Sequence, residues 1–116
     1  MVLDVDKQLV SYQGKIIHLQ YLTDNDSSKQ ALILRTLGES IVPLSDTQLG
    51  RAVYESDWVR LYGTPALDYL MLVLNKSFIK HFAHSPLKRE GKEWSLDPNV
   101  EYRQGVIENG QIVSIS

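Results

Sequence analysis

The chain has 116 residues, with 43% hydrophobic and 22% charged side chains and a formal net charge of -2. These values exclude an intrinsically disordered chain and argue against a strongly basic nucleic-acid-binding protein. The absence of cysteine excludes disulfides, thiolate metal ligands and cysteine nucleophiles.

No segment of the sequence has the character of a targeting signal or a membrane span. The first ten residues contain two aspartates and lack the long apolar region of a signal peptide. The longest uninterrupted apolar stretch, Tyr69 to Leu74, is far shorter than the roughly 20 residues that cross a bilayer. Together with the lack of cysteine, which fits a reducing compartment, this predicts a soluble cytoplasmic protein with no membrane partner.

The N-terminal part of the chain has the pattern of β structure. Leu9–Tyr12 and Lys15–Leu22 alternate in part between apolar and polar residues, and the intervening Gln13-Gly14 pair suits a tight hairpin turn. The unbroken apolar centre of Gln30–Arg35 predicts a strand covered on both faces. Ile41-Val42 predicts a further short strand.

The middle of the chain has the pattern of two helices. Ser45 is a favourable N-cap, and Asp46 follows it where the helix dipole favours an acid. A loose apolar stripe extends this first helix to Trp58 or Val59. Thr64-Pro65 is a specific start signal for the second helix, because proline is preorganised for the first helical position.

The second helix is the most apolar segment of the sequence. Seven apolar side chains at helical spacing line one face: Ala66, Leu67, Leu70, Met71, Leu74, Phe78 and Phe82. Tyr69, Leu72 and Val73 widen the apolar surface beyond half of the circumference, and Ile79 is assigned to the core. Such a helix is expected to be buried or to contact a partner, and self-association is one way to cover it.

The C-terminal part of the chain predicts a connector followed by β structure. Residues 86–92 are charged and predict a loop, and Glu93–Leu96 predicts a short strand. Val100–Ile107 and Ile112–Ile115 flank Asn109-Gly110, whose residues readily adopt the positive φ angles of a type I′ turn. A β-hairpin is therefore predicted at this end.

These elements predict an α+β fold in a single domain, residues 1–116. Strands and helices are grouped instead of alternating along the chain, and no repeat or long linker divides it. This order favours a mainly antiparallel sheet, formed by the N-terminal strands plus the C-terminal hairpin, with the two central helices packed on one face.

The most basic segment is residues 76–92, with five positively and one negatively charged side chains. Its candidate binding residues are Lys80, His81, His84, Lys88, Arg89 and Lys92. The favoured interpretation is structural: a helix end whose cations interact with the negative end of the dipole, and then a solvated connector. The alternative is binding of an acidic protein surface, a nucleic acid or a small phosphorylated ligand.

Motifs for metal binding and catalysis are weak or absent. His81 and His84 are one helical turn apart, a spacing that can chelate a metal, but no third ligand is near in sequence. Asp24-Asn25-Asp26 has the composition that opens a calcium loop, yet the glycine and glutamate needed further on are missing. No nucleophile elbow or phosphate-binding glycine loop occurs, so the sequence predicts no catalytic residue, no metal and no cofactor.

Three functions remain compatible with the sequence. The favoured hypothesis is a non-catalytic protein-interaction module that acts as an accessory, regulatory or inhibitory factor. The second is a ligand-binding or catalytic domain with a pocket between sheet and helices, lined by Arg60, Tyr62, His81 and His84. The third is nucleic-acid binding through residues 76–92. A helix-turn-helix is disfavoured, because its second helix, Asp57–Tyr62, is short and apolar.

Overall fold

The computed structural model describes residues 1–22, 27–53 and 64–116. These residues contain eight strands and three α-helices. The strands are β1 (Val2–Asp4), β2 (Leu9–Tyr12), β3 (Lys15–His18), β4 (Leu44–Ser45), β5 (Leu87–Glu90), β6 (Glu93–Leu96), β7 (Arg103–Glu108) and β8 (Gln111–Ile115). The helices are α1 (Ser27–Glu39), α2 (Asp46–Val53) and α3 (Thr64–Phe82).

The strands form one sheet of five and one of three. The larger sheet has the order β3-β2-β1-β7-β8, and the smaller has the order β4-β6-β5. All neighbouring strands pair antiparallel except β1 and β7, which run parallel with Leu3 aligned to Gln104. The predicted α+β fold, with its mainly antiparallel sheet and C-terminal hairpin, is therefore confirmed.

Two of the tight turns were predicted correctly from sequence. Gln13 and Gly14 have φ angles of 52° and 75° between β2 and β3, and Asn109 and Gly110 have φ angles of 52° and 73° between β7 and β8. Two consecutive positive φ angles define the type I′ turn, whose twist matches that of the flanking strands.

The core is formed by residues of the helices and of both sheets. Tyr12 on β2 makes edge-to-face contacts with Phe78 and Phe82 on α3, at 5.9 Å and 5.4 Å between ring centroids. Each such contact contributes about 0.5–1.5 kcal/mol beyond area burial. The predicted apolar face of α3 is confirmed by its buried side chains: Leu67, Leu70, Met71, Leu74, Phe78 and Phe82.

Both predicted helix starts are confirmed. The Gln48 backbone N–H donates to Ser45 Oγ at 3.2 Å, and the Ser45 backbone N–H donates to Gln48 Oε1 at 2.9 Å. This reciprocal pair is a capping box, which satisfies two backbone donors at the start of α2. Helix α3 begins at Thr64, as predicted. The predicted extension of the first helix to Trp58 or Val59 lies outside the described residues.

Two predicted strands are wrong. Gln30–Arg35 belongs to α1, because its buried residues recur at helical spacing and continue to Leu37: Gln30, Ala31, Ile33, Leu34 and Leu37. A short apolar run fits either a strand or a helix by periodicity alone, and here the helix packs on the core. Ile41 and Val42 lie in an exposed loop, and the strand nearby is β4, which begins after Pro43.

Two boundaries also differ from the predictions. Residues 86–92 are not a solvated connector, because β5 and β6 pair as a hairpin that turns at Gly91, with a φ angle of 61°. Three of the four β5 side chains are exposed, so the charged pattern of a loop also fits an edge strand. The strand predicted through Leu22 ends at His18, whose Nδ1 accepts from the Gln20 N–H at 3.0 Å and starts a 3-10 turn, Leu19–Tyr21.

Candidate functional site

The face of α3 that points away from the core carries a row of exposed apolar side chains. Tyr69 is 68% exposed, Leu72 40% and Ile79 50%. Because helical positions three and seven residues apart lie on one side of the cylinder, these three side chains form one stripe. We call this stripe and the two lysines beside it, Lys76 and Lys80, the outer α3 face.

The structure shows which apolar residues of α3 are buried and which are exposed. The prediction that Ile79 belongs to the core is wrong, because the buried stripe of α3 is narrow and Ile79 lies outside it. Tyr69 and Leu72, which widened the predicted apolar surface, lie on the exposed side, and Val73 is half-buried. The excess of apolar residues on α3 is therefore surface and not core.

The charges on the outer α3 face are all positive. The sequence from Tyr69 to His84 contains no acidic residue. Lys76 and Lys80 are exposed, and within the described part of the chain neither forms an ion pair. In contrast, five other cations each contact a carboxylate: Lys7, Arg35, Lys88, Arg89 and Arg103.

The two histidines at the end of α3 do not form a common site. The helix ends at Phe82, and Ala83 has a φ angle of 65° with its N–H donating to the Ile79 carbonyl at 2.9 Å. His84 lines a shallow cleft of about 280 Å³ that His81 does not line. Among the described residues there is no group of three or more His, Asp or Glu side chains that could hold a metal ion.

The remaining predicted binding residues lie on the β5–β6 hairpin. Lys88 and Arg89 are consecutive in β5, so their side chains point to opposite faces of the strand. Lys88 Nζ lies 3.5 Å from Glu90 Oε1, and Arg89 Nη1 lies 3.1 Å from Asp68 Oδ1. Lys92 is exposed beside the turn. The hairpin therefore carries no concentrated patch of unpaired positive charge.

A polar cluster that the sequence did not predict joins α2, α3 and the β5–β6 hairpin. With the described residues, three of its buried atoms make no hydrogen bond of regular geometry: Asp46 Oδ1, Asp68 Oδ1 and Trp94 Nε1. The Arg89 guanidinium lies 5.3 Å from the centroid of the Trp94 ring, where a cation–π contact is favourable.

The cluster perturbs one carboxyl group. Burial raises the pKa of Asp46, and the negative charge of Asp68 adds to this effect. Arg89, the Trp94 indole N–H and Lys92 act in the opposite direction. Arg89 and Asp68 form a structural ion pair, and the neighbouring carboxyl group of Asp46 has a raised pKa. Because residues 46 and 68 are far in sequence from each other and from the hairpin that carries residues 89 and 94, no local pattern could have revealed the cluster.

A cleft between α1 and the β6–β7 segment has an apolar lining, and it is not the predicted pocket between sheet and helices. Its volume is about 390 Å³, and Ile41, Val42, Pro43 and Tyr102 are among its lining residues. It lies between the loop after α1 and the segment that joins β6 to β7. Of the predicted pocket residues, Arg60 and Tyr62 lie outside the described residues, as do Asp24–Asp26 and Asp57–Tyr62.

Comparisons with known proteins found no relative from which a function could be transferred. The chain matches no known protein-family model, and neither the curated proteins nor the solved structures show a significant similarity to it. Within residues 1–22, 27–53 and 64–116, no helix is both long and apolar enough to cross a bilayer. What the protein binds is therefore inferred from its own surface chemistry.

Proposed function

We propose that the protein is a non-catalytic binding module that acts on another protein as an accessory, regulatory or inhibitory factor. The proposed contact surface is the outer α3 face. The observation that supports this is the stripe of Tyr69, Leu72 and Ile79, which no other described element covers. Beside it lie Lys76 and Lys80, neither of which pairs with a carboxylate of the described residues.

The dimensions of the stripe favour an elongated apolar partner. Tyr69 and Ile79 are ten positions apart, which is about 15 Å along a helix. Anchors at this spacing are typical of a helix that packs against another helix or into a groove. Burying a fully exposed side chain of this kind contributes roughly 1.5–3 kcal/mol. The three side chains are already partly buried, so their combined contribution is smaller, and the contact needs further interactions around them to offset the cost of association.

The charges favour a partner with acidic side chains. Lys76 and Lys80 attract acidic groups placed at the rim of the contact, which accelerates association and selects against basic partners. A second copy of this chain is a poor occupant, because it would bring two further lysines to the same small interface. We therefore assign this face to an amphipathic, acidic segment of a different protein.

Photo-crosslinking tests this assignment with a matched control. A photoreactive phenylalanine analogue replaces Tyr69 in one variant and Tyr21 in the other, since these tyrosines are 68% and 67% exposed. In extracts of the host cell we expect a protein adduct from position 69 and none from position 21. Mass spectrometry of the adduct should identify an amphipathic segment rich in Asp or Glu.

A charge reversal makes the test specific. The variant Lys76→Glu/Lys80→Glu should keep its circular dichroism spectrum and lose the adduct at position 69, because the acidic partner is now repelled. Equal adducts at positions 69 and 21, or an adduct that survives the reversal, contradict the proposal. An adduct with nucleic acid or with a second copy of the chain assigns the face to that occupant instead.

The cleft beside Val42 supports a second candidate function, binding of a small apolar ligand. Its volume of about 390 Å³ falls within the range of ligand pockets, about 300–1,000 Å³. A thermal-shift screen with metals, nucleotides, phosphorylated metabolites and small apolar compounds tests it. A saturable rise in Tm that Val42→Asp abolishes supports the pocket, and no saturable rise in the screen contradicts it.

A further inference from the structure

One edge of the five-stranded sheet is exposed along its whole length. Strand β8 is the last strand in the order β3-β2-β1-β7-β8, and all five of its residues are exposed. Its backbone groups on the side away from β7 have no partner among the described residues. Such an edge is a template for pairing with another strand.

The other three edges of the two described sheets carry features that normally prevent this pairing. Strand β3 ends the larger sheet on the opposite side and bears Lys15 and His18. In the smaller sheet, β4 has only two residues, and β5 carries three charged side chains in succession. Charged and very short edge strands resist the addition of another strand.

Strand β8 has no such protection in its side chains. Its sequence, Gln111-Ile-Val-Ser-Ile115, contains no charge and no proline, and three of its five residues are β-branched aliphatics. Ile112, Val113 and Ile115 are 39%, 54% and 55% exposed. β-Branched residues favour strand pairing, so both the backbone and the side chains of this edge suit a further strand.

The apolar surface of β8 continues onto the neighbouring strand. Ile112 lies opposite Ile107, and Ile115 lies opposite Gly105, so these side chains share one face of the sheet. Ile107 is buried, and Gly105 is packed against Val2 on β1. A strand added beside β8 extends this apolar face instead of ending it at water.

We propose that β8 pairs antiparallel with β8 of a second copy of this chain, about a twofold axis near Val113. A strand without charge meets its own copy without like-charge repulsion, and an antiparallel pair of identical strands is compatible with twofold symmetry. The lysines of the outer α3 face disfavour that face as the dimer contact. The two surfaces therefore bind different occupants, and this inference does not rest on the proposed function.

The dimer is expected to be weak. The pairing involves five residues, and a stable interface usually buries about 800 Å² on each partner. A register shift between Val106 and Ile107 leaves Val113 as an extra residue in β8, and such bulges shorten the regular ladder at an edge. The association should therefore depend on concentration across the micromolar to millimolar range.

Sedimentation equilibrium of the full chain tests the proposal. Val113→Lys should raise the dimer dissociation constant by at least roughly tenfold, because lysine on an edge strand opposes pairing. Val42→Lys is the matched control, since Val42 is 58% exposed on another surface. Leu72→Ser/Ile79→Ser should leave the constant unchanged. Unaltered thermal unfolding shows that each variant is folded.

Single cysteines give a second measurement that does not depend on the lysine variant. The chain has no cysteine, so one introduced residue gives an unambiguous disulfide dimer. Facing Cα atoms of non-hydrogen-bonded antiparallel pairs are about 4.5 Å apart, within disulfide range. Oxidation yield across positions 112 to 115 should peak at position 113, nearest the twofold axis, and be low for Val42→Cys. A single-chain mass at all concentrations, or a dimer lost in Leu72→Ser/Ile79→Ser and kept in Val113→Lys, overturns the proposal.

Discussion

The Asp4 carboxylate binds the backbone of Ile107, with Oδ2 accepting a hydrogen bond from the Ile107 N–H at 3.0 Å. Asp4 is almost fully buried and also accepts from the Lys7 backbone N–H at 3.1 Å. The Lys7 ammonium lies 3.7 Å from the same carboxylate. The Asp4 side chain on β1 thus accepts a hydrogen bond from the backbone of β7. The donor, Ile107, lies outside the two residue pairs of the parallel ladder.

Replacing Asp4 by alanine should destabilise the protein by about 2–4 kcal/mol. The substitution leaves the buried N–H of Ile107 without an acceptor and removes a charge-assisted hydrogen bond. Urea unfolding followed by circular dichroism measures the change. Asp6→Ala is the control, because Asp6 is exposed and its removal should change stability by less than about 0.5 kcal/mol. Equal effects of the two substitutions would falsify the assigned role of Asp4.

The contribution of Asp4 should also depend on pH in a defined direction. Burial raises its pKa, but hydrogen bonds from the Ile107 and Lys7 backbones and the Lys7 charge outweigh burial and hold it below the ordinary 3.8. A carboxyl group whose pKa is lower in the folded state stabilises that state at pH values above its unfolded-state pKa. This stabilisation is lost as the pH falls through the folded-state pKa. The difference in unfolding free energy between wild type and Asp4→Asn should therefore be largest at neutral pH and shrink below 3.8. A difference in unfolding free energy that increases at acidic pH contradicts this prediction.

Asp46 should show the opposite pH dependence. Burial and the neighbouring Asp68 raise its pKa above 3.8, so the folded state disfavours the ionised form. The Asp46 carboxyl group therefore contributes stability at pH values below 3.8. This contribution is lost as the pH rises through the raised pKa of the folded state. Relative to wild type, Asp46→Asn should therefore gain stability as pH rises from below 3.8 to neutral. Thermal unfolding at several pH values checks it, and a relative loss of stability over the same pH range shows that the charge is favourable.

A small residue at position 38 is needed because Tyr102 lies against α1. A Cβ built on Gly38 overlaps the Tyr102 ring. Gly38→Ala should therefore cost about 1–3 kcal/mol through overpacking. In a Tyr102→Ala background the same change should stabilise by up to about 1 kcal/mol, because alanine is the better helix former. The double-mutant cycle measures both effects, and an unchanged sign in the two backgrounds contradicts the packing explanation.

Elements with strong local determinants were predictable from the sequence. The Gln13-Gly14 and Asn109-Gly110 turns and the Ser45 cap depend on residues within a few positions of one another. Elements decided by distant contacts were not. Strand β1 has three residues and no alternation of burial, and α1 contains an apolar run that a strand would tolerate equally well.

The same distinction applies to the candidate surfaces. The excess apolar residues of α3 were visible from sequence, but which of them face water depends on the layers packed against the helix. Arg89 was predicted to be free for binding, yet its guanidinium contacts Asp68, a residue from another element. The exposed edge at β8 follows from strand order, which no local pattern encodes.

The parallel contact between β1 and β7 also constrains the order of folding. Asp4 and Ile107 are 103 positions apart in sequence, so the two parts of the larger sheet cannot join until β7 has been synthesised. Contacts of such separation are slow to form, because a long loop must close first. Until β7 is in place, β1 can pair only with β2, so its other edge offers backbone groups to any strand that approaches it.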